Sequence, residues 1–152
     1  MSEDLSPTEE ARAARAGAAT WRLDDEVGGP EALRAIVAEL YAQLYDDLLV
    51  GFLFEPFDQA QLVAHQLDYL RAHLGDRSGR YTARSMRQAH QSLPILPGHF
   101  DRRHHLLKAT LARHDVPAHV QEAWLGLDLA LRPFVLNLGA TARDALITPK
   151  DA

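Results

Sequence analysis

The chain has 152 residues, enough for one domain with a single hydrophobic core. Hydrophobic residues make up 47% of it and charged residues 24%, as in soluble globular proteins, and the net charge of −5 leaves no basic surface for nucleic acid. Because cysteine is absent, disulfides, iron–sulfur clusters and thiolate zinc sites are excluded.

The first segment, residues 1–20, is rich in alanine, glutamate and arginine and has no consistent apolar face. We therefore expect a weakly ordered or helical N-terminal extension without the apolar region of a secretion signal. The longest apolar run, residues 123–138, is interrupted by Asp128, Arg132 and Pro133, and it is too short to cross a bilayer. The sequence thus predicts a cytoplasmic protein with no membrane insertion.

A Gly-Gly-Pro turn at residues 28–30 opens the first strong helical pattern. Apolar residues at helical spacing predict a helix over about Pro30–Asp47. The following GFLFEPF segment is too short and too marked by glycine and proline to predict a helix. Asp58 is then expected to cap a second helix that ends near Leu74.

The second half of the chain predicts three more helices. A short one over Thr82–His90 cannot continue through Pro94 and Pro97, a longer one follows over about 98–114, and the last carries apolar residues from Val120 onward. We find no β-strand alternation and no internal repeat. The prediction is an all-α domain of five or six helices over residues 21–138, followed by a loosely held tail, residues 139–152.

His90 is the candidate functional residue of the short helix. A histidine at a helix end is often a surface residue that meets the negative end of the helix dipole, and it can also be a metal or haem ligand above an apolar pocket. Met86 lies four residues earlier and shares its helix face. On the second helix Leu62, Gln66 and either Tyr69 or Leu70 share a face, and Ile95 and Phe100 follow the histidine and could complete such a pocket.

Five segments occur in the order and at the separations typical of one protein family: VGGPEAL, VAELY, AHQLDYLRAHLG, RYTARSMRQAH and GHFDRR. Together they resemble the truncated haemoglobins, most closely the first group of that family, over about residues 21–138. The resemblance implies a two-over-two helical sandwich around haem b, which is iron protoporphyrin IX. A haem needs a neutral imidazole, apolar walls and one or two polar groups opposite.

The resemblance also assigns roles to individual residues. His90 would be the proximal ligand of the haem iron, and Tyr41 and Gln66 would donate hydrogen bonds to a bound ligand. Leu62 would lie at the gate of the haem pocket. The residues expected to contact the cofactor are Tyr41, Leu44, Phe54, Leu62, Gln66, Leu70, Met86, Ile95 and Phe100. A packing role in the helical core is the alternative for Tyr41, Leu44, Phe54, Leu70, Met86 and Phe100.

His65 lies one turn beyond Leu62, at the edge of the same helix face. It is either a solvated histidine near a haem propionate or, as in some members of the family, a sixth ligand of the iron. The remaining histidines, including the adjacent His104 and His105, are expected on the solvated surface. Neighbouring residues point about 100° apart on a helix and cannot chelate one metal ion together.

Arg103 departs from the family pattern, which usually has an apolar residue or tryptophan at this position facing the distal cavity. An unpaired guanidinium is not stable in a dry pocket. The alternatives are a locally rotated helix, a pair with a haem propionate or bulk water, or a cavity that is more polar than usual.

The resemblance implies reversible binding of oxygen and other diatomic molecules, including nitric oxide and carbon monoxide, by a monomer or weak dimer. It suggests nitric-oxide dioxygenation as an enzymatic activity. That activity would need an external reductase, because the chain has no flavin or nicotinamide motif. Two alternatives remain open: a six-coordinate redox or ligand-sensing globin with His65 as distal ligand, and a haem-free helical interaction module.

Overall fold

The computed structural model describes residues 21–77 and 81–136, and all regular secondary structure in these ranges is α-helical. The predicted all-α class is confirmed. Seven helices lie in the described ranges, numbered in chain order: α1 Leu23–Glu26, α2 Pro30–Asp46, α3 Gly51–Phe54, α4 Gln59–Leu74, α5 Ala83–His90, α6 Pro97–Arg113 and α7 Ala118–Val135.

The turn before α2 depends on its two glycines. Gly28 and Gly29 have φ angles of +105° and +116°, a region that is strained for residues with a Cβ atom. Pro30 then occupies the first turn of α2, where its missing N–H costs nothing. The buried side of α2 is the predicted stripe, formed by Leu33, Ile36, Val37, Leu40, Tyr41 and Leu44.

Side-chain caps fix the beginnings of α4 and α5. Asp58 accepts a hydrogen bond from the backbone N–H of Gln61 at 2.9 Å, so the predicted cap of α4 is confirmed. Thr82 and Ser85 form a reciprocal capping box at the start of α5, with bonds of 2.9 and 3.0 Å. These caps set where α4 and α5 begin.

The long helices form two pairs that share one core. α2 packs on α4 and on α6, α6 packs on α7, and α5 lies against α7. Trp124 of α7 is the largest fully buried side chain. Around it lie buried leucines and valines from α1, α2, α4, α6 and α7, namely Leu23, Leu33, Val37, Leu40, Leu44, Leu67, Leu70, Leu107, Leu111 and Val120. The core therefore fixes α2, α4, α6 and α7 relative to one another.

Two single-turn helices were not predicted. α3 forms inside the GFLFEPF segment, so the expectation of no helix there was wrong, and α1 precedes the Gly-Gly turn. One turn of four residues is too short to show an apolar period. The extension 1–20, residues 78–80 and the end of the chain from 137 lie outside the described residues. Within the described ranges, no helix combines the length and apolar character needed to cross a membrane.

Candidate functional site

A cavity of about 600 Å³ is lined by residues from helices α2 to α7 and the segments between them. Its volume is in the range of cofactor and small-molecule sites. Most of its surface is apolar or aromatic. It is lined by Tyr41, Val50, Leu53, Phe54, Phe57, Gln61, Leu62, His65, Gln66, Tyr69, Tyr81, Met86, Ala89, His90, Leu93, Ile95, His99, Phe100, Arg103, Leu131 and Val135.

His90 is oriented by its own helix. Its Nδ1 lies 2.8 Å from the carbonyl oxygen of Met86, one turn earlier in α5. Because a carbonyl oxygen only accepts hydrogen bonds, Nδ1 carries the proton and Nε2 keeps a lone pair. Burial lowers the pKa of His90, which the bond to Met86 opposes and the nearby Arg103 cation reinforces. The side chain is therefore a neutral imidazole with a free nitrogen in the cavity wall.

Tyr41 and Gln66 reach the cavity from α2 and α4. Tyr41 is 7% exposed, and its ring meets that of Phe54 edge-on at 6.0 Å between centroids. Burial raises the pKa of Tyr41 above its usual value, against the opposing effect of the Arg103 cation. The phenol thus stays protonated at neutral pH and can donate a hydrogen bond.

Tyr69 adds a polar atom whose need for a partner is visible in the structure. Its hydroxyl is buried and has no hydrogen-bond partner among the described residues. Burial raises the pKa of Tyr69, so this group too is a neutral donor. Buried polar atoms are nearly always paired, which points to a bound molecule or ordered water as the missing partner.

Most of the residues predicted to contact a cofactor line this one cavity. They come from five helices and a loop: Tyr41, Phe54, Leu62, Gln66, Met86, His90, Ile95 and Phe100. His65 lies at the cavity as well and is exposed on α4.

Two predicted contact residues are placed elsewhere. Leu44 and Leu70 belong to the buried core and are not among the lining residues of the described chain. Leu44 sits in the middle of the apolar stripe of α2, about 60° around the helix from Tyr41, and so faces neighbouring helices. On α4 it is Tyr69, rather than Leu70, that shares the cavity face with Leu62 and Gln66.

Arg103 in the cavity wall forms an ion pair with a buried carboxylate. Arg103 of α6 donates from its Nη1 to Oδ1 of Asp128 on α7, and Oδ2 of Asp128 lies 2.8 Å from Nδ1 of His104. Asp128 is 4% exposed. Burial alone would raise the pKa of this carboxyl, but the Arg103 cation and the hydrogen bonds to His104 and Arg103 lower it. Asp128 is therefore ionised.

This network answers the question that Arg103 posed. Its partner is Asp128, a residue that the sequence analysis did not single out. Of the three alternatives for Arg103, the structure favours a cavity that is more polar than usual. The signal was available: Asp128 lies four residues after Trp124 within the apolar stripe of α7, and a buried acid requires a base. His104 was expected on the solvated surface, and that expectation was wrong because the ring is only partly exposed and contacts Asp128.

The donor set of the cavity fits a haem. It offers the free imidazole nitrogen of His90, walls made largely of apolar side chains, and phenol and amide groups. The buried hydroxyl of Tyr69 adds a donor that a bound molecule or ordered water would satisfy. By contrast, no group of three or more histidine or carboxylate side chains in the described part of the chain could hold a metal ion by itself.

Comparisons with known proteins agree with this geometry. Residues 22–136 match the sequence model of the family described as bacterial-like globin. The chain is 33% identical over 110 residues to the Group 1 truncated hemoglobin GlbN of Mycolicibacterium paratuberculosis. The aligned residues cover 72% of this chain and 79% of the relative.

Solved structures show the same fold. The 2/2 hemoglobin of Synechococcus sp. PCC 7002, in the cyanomet state and with covalently attached heme, has a TM-score of 0.69 and 28% identity; the match covers 77% of this chain and 99% of that one. Chlamydomonas reinhardtii THB4 has a TM-score of 0.64 and 25% identity, with coverage of 74% and 93%. The described helices therefore form the two-over-two arrangement of these hemoglobins.

Proposed function

Because the chain belongs to the bacterial-like globins, and among them to the truncated haemoglobins with haem as cofactor, we propose that it holds haem b through His90 and reversibly binds oxygen and other diatomic molecules. The observation that carries this proposal is the 2.8 Å contact between His90 Nδ1 and the Met86 carbonyl oxygen. It fixes the tautomer in which Nε2 is free to ligate iron, as hydrogen bonds from the other ring nitrogen do in metal-binding histidines generally.

Tyr41 and Gln66 would act on the ligand. When bound, the haem supplies reversible binding of diatomic molecules and one-electron chemistry. Oxygen gains partial negative charge on binding and carbon monoxide gains less, so a neutral phenol and an amide N–H in a largely apolar cavity favour oxygen. Leu62, half-buried beside them, offers bulk and no hydrogen bond.

Nitric-oxide dioxygenation is the enzymatic part of the proposal. Oxygen and nitric oxide would combine to nitrate with loss of one electron from the iron. An external reductase would have to return that electron. The reductase, a cytoplasmic location and a monomeric or weakly dimeric state remain expectations from the sequence. The test is nitrate formation from oxygen and nitric oxide by the ferrous protein, with turnover only when a reductant is supplied.

A second candidate function rests on His65. This histidine lines the same cavity, and as a sixth ligand it would make the protein a redox or ligand-sensing globin. Its exposed position on α4 argues against this, because α4 must slide or unwind to bring a ring nitrogen to the roughly 2 Å of an imidazole–metal bond. We therefore favour an open or water-bound sixth site.

The deciding experiment is an absorption spectrum of the chain loaded with haemin, before and after dithionite. A Soret band with one haem per chain supports the globin function, and its absence would leave only the helical interaction module. A broad ferrous visible band indicates five-coordination. Sharp, split ferrous bands that vanish in His65→Ala would establish the redox or sensing alternative.

A further inference from the structure

Binding of neutral diatomic molecules does not require a charged residue in the cavity wall, yet Arg103 lies there and is paired with Asp128. The two side chains are 17% and 5% exposed. Removing two charges from water costs several kcal/mol per ion, and buried pairs can often be replaced by apolar residues without loss of stability. The pair is thus a weak device for holding α6 to α7, which suggests that the charge itself has a use.

The cation is the member of the pair that meets the cavity. Arg103 lines it, whereas Asp128 is not among the lining residues of the described chain. A guanidinium has five N–H donors, and the contact with Asp128 leaves several of them for other partners. Tyr41 lies close enough to influence the pKa of Arg103. A cation and a phenol hydroxyl therefore border the same space.

The electrostatic effect of this arrangement has a definite sign. Burial alone would lower the pKa of Arg103, but the Asp128 carboxylate and Tyr41 keep it above its usual value, so the guanidinium is always charged. Charges interact more strongly inside a protein than in water, because the effective dielectric constant is lower. Asp128 partly offsets the field of Arg103, and Arg103 is the nearer charge to any molecule in the cavity.

We propose that Arg103 is a specificity-determining residue of this cavity: beside Tyr41, its charge favours small monovalent anions, such as azide, nitrite, fluoride and hydrosulfide, over neutral molecules as ligands of ferric haem. The inference rests on the proposed haem function and adds a charge preference to the general capacity of ferric haem to bind such anions. The charge of the ligand, and not only its size, would then decide its affinity.

The test compares a charged with a neutral ligand of ferric holoprotein, azide against imidazole, by optical titration. Single loss of Arg103 would leave Asp128 buried without its main partner, so the informative variant is the double Arg103→Leu/Asp128→Leu. We expect its azide Kd to rise at least about tenfold, the change that about 1.4 kcal/mol produces. Its imidazole Kd should change much less.

Asp128→Asn keeps the cation and removes the opposing charge, so azide should bind more tightly than to the wild type. Arg103→Lys should retain most of the azide affinity. Arg102→Leu is the matched control, because the neighbouring guanidinium pairs with Asp47 outside the cavity at 2.7 Å. Its azide Kd should stay at the wild-type value.

Infrared spectra give a second measurement that packing changes alone do not mimic. A nearby positive charge lowers the stretching frequency of carbon monoxide, so the frequency should rise in the double variant and fall in Asp128→Asn. An intact Soret band with azide and imidazole affinities that shift together, or not at all, would overturn the charge preference while leaving the globin function intact. A chain that takes up no haem would overturn both.

Discussion

Nε2 of Gln43 donates a hydrogen bond of 2.8 Å to Oγ1 of Thr110, and this bond joins α2 to α6. Thr110 is fully buried, and its hydroxyl donates in turn to the carbonyl oxygen of Leu106 at 2.8 Å. The two helices carry Tyr41 and Arg103 into the cavity. The separation of these two polar groups is thus set partly by a contact outside the site.

Thr110→Val should lower the free energy of unfolding by about 1–2 kcal/mol, because the half-buried Gln43 amide loses its shorter hydrogen bond and keeps only the 3.4 Å contact with the Glu39 carbonyl oxygen. Urea denaturation followed by circular dichroism measures the change. Thr110→Ser keeps the hydroxyl and should lose less. A Thr110→Val protein as stable as the wild type would show that water replaces the bond at no cost.

Loss of the imidazole at position 90 should abolish most haem retention. If His90 carries the axial bond, His90→Ala should lose haem on gel filtration or keep it with an altered Soret band, and added imidazole should partly restore the spectrum. His105→Ala is the matched control, because His105 is exposed on α6. An unchanged ferrous spectrum in His90→Ala would reject the proximal assignment.

Removal of the phenol hydroxyl should speed oxygen dissociation. Tyr41→Phe keeps the ring and its edge-on contact with Phe54 but deletes one donor. A lost bond of about 1–2 kcal/mol corresponds to a roughly five- to thirtyfold faster off-rate, measured by stopped flow. Tyr45→Phe is the control, since the Tyr45 hydroxyl donates to the carbonyl oxygen of Phe57 and does not line the cavity. If Tyr41→Phe and Gln66→Leu both leave the off-rate unchanged, these residues only pack.

Asp47 should make stability depend on pH in the acid range. The hydrogen bond from Arg102 lowers the pKa of Asp47, against the raising effect of burial, and bonds from the backbone of Leu49 and Val50 lower it further. A carboxyl with a lower pKa in the folded than in the unfolded state stabilises the fold above its unfolded pKa of about 4. That stability is lost as the pH falls through the folded pKa.

We therefore expect Asp47→Asn to be less stable than the wild type at pH 7, with a difference that shrinks toward pH 3 in parallel denaturation curves. The exposed neighbour offers a control, Asp46→Asn, which should show no such convergence. A constant difference across the pH range would mean that Asp47 acts through packing and capping alone.

Helix positions could be predicted because each long helix carries its own signals. The stripe from Leu33 to Leu44 determines α2, and Asp58 marks the start of α4. These are local properties, so a single sequence contains them. The bounds of α2 differ from the predicted range by one residue at its end.

The assignment of neighbours on one helix was harder. Tyr69 lies about 20° around α4 from Leu62, and Leu70 lies about 80° away on the other side, toward the core residues Val63 and Leu67. Helix geometry alone therefore favoured Tyr69 for the cavity. Both residues fall within one broad apolar arc, and only packing against other helices shows where the core ends and the cavity begins.

Which residues pair across different helices could not be assigned from the sequence. Arg103 and Asp128 are 25 positions apart, and the sequence does not say which face of α7 meets α6. An acid within an apolar stripe indicates that a buried base exists, but several arginines in the chain could provide it. Tertiary packing selects one.

The short length and limited packing of α5 have a consequence for how the protein acquires its cofactor. α5 has only eight residues, fewer than an isolated helix needs to persist in water, and none of its described side chains is fully buried. Thr82 and Ser85 start the helix, but its packing rests mainly on α7. The residue proposed to bind iron thus sits on the least anchored of the five longer helices. We expect the amide protons of α5 to exchange fastest among those helices before haem is added, and to slow as it binds, so that cofactor loading and local folding form a single equilibrium.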